Sequence, residues 1–126
     1  MAMDKTPFAY VVEDNQDAVV IFQTALEQAG YEVQVALDGA VAQQQLAELV
    51  PDLIVLDIHM PNVSGDQLLK QIRADARLKD TRVFLATADA NMASHLRDQV
   101  ELVLLKPIGF SQLKELAERF LPDYRK

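Results

Sequence analysis

Four charged residues stand at the carboxyl ends of short apolar stretches of the chain. They are Glu13, Asp14, Asp57 and Lys106. If these stretches lie side by side, the carboxylates crowd together, and two like charges about 4 Å apart repel by ~4 kcal/mol at an effective dielectric constant of about 20. A divalent cation and the lysine ammonium would relieve this repulsion. The set therefore predicts a metal site that contains a reactive aspartate.

Glu13 and Asp14 are the first candidates for metal ligands. Their oxygens are hard ligands, which suit Mg²⁺, or Mn²⁺ in its place, better than a softer metal. The alternative is a solvated acidic turn in which Asp14 or Asn15 caps the helix that follows. Taken together with Asp57, the pair favours the metal role.

Asp57 ends a wholly apolar stretch and is the candidate nucleophile. A carboxylate beside a metal ion can attack a phosphoryl group and form an aspartyl phosphate. The metal and Lys106 would neutralise the charge that spreads over the phosphoryl oxygens, and Thr87 offers a hydroxyl to one of them. The alternatives are a turn-capping role for Asp57 and an ordinary strand position for Thr87.

Apolar stretches of strand length alternate with segments of helical periodicity along the chain. The pattern predicts strands at 8–12, 31–36, 53–57, 82–87 and 102–106. It predicts helices near 16–29, 39–49, 65–76, 90–98 and 110–121. Such alternation gives right-handed crossovers and a parallel sheet with helices on both faces, which is an α/β fold. Ligands of these folds bind beyond the carboxyl ends of the strands, where the candidate residues fall.

The length and composition fit one domain, 1–126, and exclude several classes of function. Half of the residues are hydrophobic, and we expect a core over 8–121 with frayed ends at 1–6 and 122–126. The absence of cysteine excludes disulfides, thiolate metal sites and cysteine nucleophiles. The net charge of −7 argues against nucleic-acid binding by this domain. Since the chain shows neither a signal peptide nor a membrane-length apolar stretch, we expect a soluble cytoplasmic protein without a membrane partner.

The ordered set of motifs resembles the receiver domain of response regulators in bacterial two-component signalling. The matching residues are Glu13-Asp14, Asp57, Met60-Pro61, Gly65, Thr87-Ala88 and Lys106-Pro107. The resemblance covers essentially the whole chain, from 8 to 121. It implies a five-stranded parallel sheet in the order 2-1-3-4-5, the flavodoxin-like three-layer sandwich of CheY-like proteins. It also implies a cis peptide bond between Lys106 and Pro107.

The same resemblance implies a function. A histidine kinase or a phosphotransfer protein would donate a phosphoryl group to Asp57, and the phosphorylated chain would act on a downstream partner or effector domain that the sequence does not identify. Mg²⁺ would be held by Asp14, Asp57 and the backbone carbonyl of His59, with Glu13 acting mostly through water. The residues in contact with the phosphoryl group would be Thr87 and Lys106. The chain would not be an enzyme beyond catalysing phosphorylation and dephosphorylation of its own aspartate.

Two features depart from the usual receiver pattern. Val103 stands three positions before Lys106, where the family usually has an aromatic residue or histidine that swings inward as the threonine moves. The interval from Thr87 to Lys106 is 19 positions, shorter than usual, and the stretch 88–100 lacks a helix-ending glycine. We therefore expect a fourth helix that is reduced to about two turns or displaced, and a weakened threonine–aromatic coupling.

Three other functions fit parts of the sequence. A phosphatase with an aspartate nucleophile carries a D-x-D pattern, but Asp57 is followed by Ile58 and His59. A flavodoxin-like flavin binder needs a loop rich in glycine and hydroxyls after the first strand, where the acidic stretch 13–17 would repel phosphate. A receiver fold that works only as a docking module stays open.

His59 and Asp89 would flank the water path to Asp57, either as ordinary loop residues or as groups that tune the phosphoryl lifetime.

Overall fold

The structure, a computed structural model, describes residues 5–123 of the chain. Five strands form one parallel sheet: β1 (Phe8–Val12), β2 (Glu32–Ala36), β3 (Leu53–Asp57), β4 (Arg82–Thr87) and β5 (Leu102–Leu105). In this part of the chain the α-helices are α1 (Gln16–Gln28), α2 (Gly39–Leu46), α3 (Gly65–Ala74), α4 (Ala90–Leu96) and α5 (Phe110–Arg119). The strands lie in the order β2-β1-β3-β4-β5. The predicted α/β fold and strand order are confirmed.

Both faces of the sheet are covered, because successive residues of a strand point to opposite faces. Ala9 and Val11 of β1 belong to a cluster that α1 and α5 cover. Tyr10 and Val12 belong to a second cluster, which α2, α3 and α4 cover. β3 is buried along its whole length, as the central strand of a sheet with two covered faces must be.

Several helices end earlier than their apolar periodicity predicted. At Ala47 and Glu48, α2 gives way to hydrogen bonds that reach three residues back, the tighter pattern common at helix ends. α3 ends at Ala74, and the extended Asp75 starts a separate 3-10 turn. The periodicity continues past the helix because this turn buries Leu78 on the same core.

α4 is the short helix that the sequence predicts. It has seven residues, which make about two turns. Asp89 caps its start, since Oδ1 accepts the N–H of Met92 at 3.0 Å. A 3-10 turn, Arg97–Gln99, follows.

Two glycines allow the loop between β3 and α3 to lie close to its neighbours. A Cβ atom at Gly65 would stand 2.1 Å from the carbonyl oxygen of Asp57, and one at Gly39 would stand 1.7 Å from that of Val63. Asn62 adopts a left-handed φ of 71°, which asparagine tolerates better than most residues. Close backbone packing at Gly39 and Gly65 thus holds the loop that follows Asp57 in place.

The predicted frayed ends, 1–6 and 122–126, lie mostly outside the described residues. The extent of the domain, 1–126, therefore stays a prediction. Between residues 5 and 123 the structure contains no helix that is long and apolar enough to cross a membrane.

Candidate functional site

The parallel strands bring the candidate residues to one edge of the sheet. Asp57 is the last residue of β3 and Thr87 the last residue of β4, and these strands pair with Asp57 opposite Ala86. Glu13 follows β1 directly. Lys106 follows β5, and its backbone N–H donates to the carbonyl oxygen of Thr87 at 2.8 Å. The predicted meeting of these residues at the carboxyl ends of the strands is observed.

Glu13, Asp14 and Asp57 form an acidic cluster, in which one carboxylate oxygen of each residue lies within 4.8 Å of the others. Glu13 and Asp57 are 1% and 5% exposed, whereas Asp14 is exposed and opens the cluster to solvent. Hard carboxylate oxygens that leave one side open suit Mg²⁺, which binds few protein ligands and keeps several waters. The residues present therefore fit the predicted cation.

Lys106 pairs more closely with Glu13 than with Asp57. Its Nζ lies 2.7 Å from Oε1 of Glu13 and 3.5 Å from Oδ1 of Asp57. Burial alone would lower the pKa of Lys106, but the two carboxylates outweigh that effect and hold its pKa above the usual value. The ammonium is therefore charged at neutral pH. The Lys106–Pro107 peptide bond is cis, as predicted.

The surroundings of Asp57 disfavour the ionised form of its carboxyl group. Burial, followed by the charge of Glu13, raises the pKa of Asp57 from 3.8 to about 6, although Lys106 opposes the shift. Such a perturbed group in an open cluster is a candidate reactive residue. Added positive charge near Asp57 would favour its ionised, nucleophilic form.

Asn15, rather than Asp14, caps α1. The side-chain Oδ1 of Asn15 accepts the N–H of Ala18 at 2.9 Å. The backbone N–H of Asn15 donates to Oε2 of Glu13 at 3.1 Å. The capping role considered for the acidic turn thus falls to Asn15, and the carboxylate of Asp14 stays in the acidic cluster.

Thr87 is fully buried, and its hydroxyl accepts the backbone N–H of Asp89 at 2.9 Å. Asp89 in turn pairs through Oδ2 with Nε2 of His59 at 3.1 Å, so the loops after β3 and β4 are joined beside the site. Hydrogen bonds from Met92 and then from His59 hold the pKa of Asp89 below its usual value. Sequence reasoning identified His59 and Asp89 as flanking residues but did not predict that they pair.

An apolar groove of about 440 Å³ adjoins the acidic cluster. Ile21 and Phe22 of α1 and Pro107 and Ile108 beyond β5 line it, together with Lys106. Ile21 is 40% exposed. Sequence reasoning missed this groove, and the available signal was an apolar Ile21 lying outside the stripe of α1 that packs on the core.

The chain is similar to known response regulators. The response regulator receiver domain family matches residues 9–118. The polar-differentiation response regulator DivK of Brucella ovis is 31% identical over 121 residues, which cover 94% of this chain and 98% of DivK. The DNA-binding dual master transcriptional regulator RpaA of Synechocystis is 37% identical over 82 residues, or 65% of this chain. That match covers only 34% of RpaA.

Solved structures share the fold. The chemotaxis response regulator CheY4 of Vibrio cholerae matches with a TM-score of 0.83 and 24% identity, over 93% of this chain and 100% of CheY4. DrrB of Thermotoga maritima matches with a TM-score of 0.80 and 23% identity, over 92% of this chain and 52% of DrrB. On the family match and on the identity to DivK, the chain belongs to the response regulator receiver domains of two-component signalling.

Proposed function

We propose that this receiver domain accepts a phosphoryl group on Asp57 from a histidine kinase or a phosphotransfer protein. Phosphorylation would then change its contacts with a downstream partner. The observation that carries the proposal is the setting of Asp57, whose buried carboxylate lies among two other carboxylates and 3.5 Å from the Lys106 ammonium. A carboxylate in such a setting can act as a nucleophile toward phosphorus.

Mg²⁺, with Mn²⁺ as a substitute, would be held by Asp14, Asp57 and the backbone carbonyl of His59. Glu13 would act mostly through water. When bound, the cation supplies positive charge to the phosphoryl oxygens. The support for this assignment is the charge balance of the acidic cluster, because Lys106 offsets only one of its three carboxylates.

Asp57 would attack the phosphorus of a phosphohistidine with one carboxylate oxygen. The P–O bond forms as the P–N bond breaks, and the electron pair of that bond stays on the imidazole nitrogen, which takes a proton from solvent. Lys106 and Thr87 would each donate a hydrogen bond to a phosphoryl oxygen as charge develops there. The product is an acyl phosphate on the chain itself, so the chain acts as a receiver and not as an enzyme that releases a converted substrate.

The phosphodonor would dock an apolar helical face in the groove beside the site. Lys106 belongs to the lining of the groove and to the acidic cluster, so whatever fills the groove lies next to Asp57. The apolar lining favours an uncharged surface, and amphipathic helices present such a surface with residues three and four positions apart. A histidine beside that stripe would face the acidic cluster.

Phosphorylation by acetyl phosphate tests the proposal without a protein donor. We expect the intact mass to rise by one phosphoryl group when Mg²⁺ is present and to stay unchanged in excess chelator. Asp57→Asn should abolish the gain, whereas Asp98→Asn, which changes an aspartate outside the acidic cluster, should retain it. Labelling that survives in Asp57→Asn would refute the assignment. Wild-type protein that binds Mg²⁺ but takes no phosphoryl group would favour the docking module instead.

A further inference from the structure

We infer that Asp89 is a positioning residue that links the Thr87 hydroxyl to α4 and to the loop after β3. The inference rests on the proposed phosphoryl contact of Thr87. It assigns to Asp89 a coupling role for which Val103 is unsuited.

Asp89 makes three contacts that converge from different elements. Its backbone N–H donates to Oγ1 of Thr87 at 2.9 Å. Its Oδ1 accepts the N–H of Met92 at 3.0 Å in the first turn of α4. Its Oδ2 lies 3.1 Å from Nε2 of His59 in the loop after β3. The two side-chain contacts hold Asp89 in place, and with it the backbone N–H that donates to Thr87.

The contact with Thr87 decides which way the hydroxyl can donate. A threonine hydroxyl has one proton and two acceptor lone pairs. Because the oxygen accepts the N–H of Asp89, the proton is left for another acceptor. The side chain is fully buried at the end of β4, which pairs with the strand that ends at Asp57. An incoming phosphoryl oxygen is such an acceptor. Asp89 therefore orients the hydroxyl for the contact that the proposed function requires.

Val103 offers Thr87 no comparable link. It lies on β5 opposite Leu85 and packs against the second core cluster, with an aliphatic side chain that neither donates nor accepts hydrogen bonds. Among the described residues, the hydrogen bond to the side chain of Thr87 comes from Asp89. A shift of the Thr87 hydroxyl therefore acts on residue 89 through this hydrogen bond.

Phosphorylation would bias this linkage through a contact that exists in one state only. A ligand shifts an equilibrium by its differential interaction with two states, and here the differential contact is the hydrogen bond from Thr87 to the phosphoryl group. As Thr87 moves, Asp89 moves the first turn of α4 and His59 with it. The response appears around α4 and the loop after β3 rather than on β5.

Asp38 provides a matched control for Asp89. It caps α2 in the same way, since its Oδ1 accepts the N–H of Val41 at 2.9 Å. Asp38→Ala and Asp89→Ala each remove one negative charge and one helix cap. A role for Asp89 limited to capping α4 and pairing with His59 predicts that neither variant affects Thr87.

The resting protein gives the first test, because it needs no phosphoryl group. Three-bond couplings to the methyl carbon of Thr87 should report one side-chain rotamer in the wild type, in Asp38→Ala and in Asp89→Asn, whose amide oxygen can still cap α4. Asp89→Ala should give averaged couplings. Wild-type couplings in Asp89→Ala would overturn the inference.

Beryllofluoride with Mg²⁺ gives the second test, with hydrogen exchange as the readout. In the wild type and Asp38→Ala, the probe should change exchange of the α4 amides about fivefold or more. In Asp89→Ala it should still bind, but the α4 change should fall below about twofold. An undiminished α4 change in that variant would overturn the inference. Failure of the probe to bind the wild type would count against the proposed function, while the rotamer measurement would still decide the role of Asp89.

Discussion

The Lys106 ammonium lies at unequal distances from two buried carboxylates. Glu13 holds the closer contact, at 2.7 Å against 3.5 Å for Asp57. Asp57 is therefore buried, crowded and only partly compensated, which is the physical reason that its pKa rises to about 6. A charge that destabilises the fold can be retained where reactivity needs it. Stability and reactivity thus compete at this residue.

Asp57→Asn should stabilise the metal-free protein. The pKa rises from 3.8 to about 6 on folding, so the native state binds more protons than the unfolded state between these values. This group's contribution to stability therefore falls as the pH rises through that window, and the loss is complete above about 6. Two pKa units correspond to roughly 3 kcal/mol, and we expect a gain of about 1–3 kcal/mol at pH 7.5 with chelator.

Urea unfolding at two pH values checks this expectation. The difference between Asp57→Asn and the wild type should shrink toward zero as the pH approaches 4, because native Asp57 is then protonated. A variant that is less stable than the wild type at pH 7.5 without metal would contradict the account of this carboxylate.

Gly65→Ala should distort the chain at Asp57. The added Cβ would lie 2.1 Å from the carbonyl oxygen of Asp57, and the backbone cannot yield without moving that residue. We expect a loss of about 3 kcal/mol in stability and slower phosphorylation. Gly109→Ala is the matched control, since a Cβ there meets nothing within 4 Å. Gly109 is the N-cap of α5, where alanine is less favourable than glycine, and we expect a loss of about 1 kcal/mol or less. Equal losses from both substitutions in urea unfolding would count against the packing argument.

At the scale of elements, hydrogen bonds from Arg73 hold the segment between α4 and β5 in place. Arg73 of α3 donates through Nε to the carbonyl oxygen of Gln99 at 2.8 Å and through Nη1 to that of Thr81 at 3.0 Å. Its Nη2 lies 3.0 Å from Oε1 of Glu101, an oxygen that also accepts the N–H of Val83 at 2.6 Å. This network ties the chain between α4 and β5 to α3 and to the start of β4.

Arg73→Ala should destabilise the protein and loosen the 97–101 segment. Hydrogen bonds to a charged group contribute about 1.5–3 kcal/mol each at most. We expect Arg73→Ala to lower the free energy of unfolding by about 2 kcal/mol. Arg73→Lys should restore little of this stability, because an ammonium cannot reach three acceptors in a fixed plane. Lys114→Ala, which removes an exposed pair with Glu118, should cost about 0.5 kcal/mol or less. Urea unfolding and hydrogen exchange measure both effects. If hydrogen exchange at residues 97–101 were no faster in Arg73→Ala than in the wild type, the result would contradict the proposed role of Arg73.

The elements and the acidic cluster could be predicted because each leaves a local signal. Buried parallel strands are continuous apolar stretches, and the residue that follows such a strand lies at the functional edge. The short α4 followed from the interval between Thr87 and Lys106. The pairing of His59 with Asp89, 30 positions apart, left no such signal, since it depends on how two loops approach each other. The same holds for Arg73 and Gln99, 26 positions apart.

At the scale of the whole molecule, the site combines a charged cluster with an apolar rim. The chain carries a net charge of −7, yet the groove next to the acidic cluster is lined mostly by apolar side chains. A small phosphodonor needs only the acidic cluster, whereas a protein donor would also need the groove. The two kinds of donor should therefore respond differently to changes in the groove.

Ile21→Asp should slow transfer from a protein donor selectively. With a phosphorylated histidine-containing phosphotransfer domain that labels the wild type, we expect a fall of about tenfold, the scale of a buried interface residue. With acetyl phosphate the rate should stay within about twofold of the wild type. Val20→Asp is the control on the same helix, because Val20 is 64% exposed and is not part of the groove lining. Parallel losses with both donors, or an equal loss in Val20→Asp, would show that the groove is not the docking surface.

Borohydride trapping tests the central claim, that Asp57 carries the phosphoryl group. Reduction of an aspartyl phosphate converts that aspartate to homoserine, so peptide mapping identifies the residue itself. After acetyl phosphate and Mg²⁺ treatment, we expect homoserine at position 57 and not at the neighbouring Asp14 or at Asp89, and we expect none in excess chelator. Homoserine at another aspartate, or a phosphorylated protein without homoserine at position 57, would contradict the account.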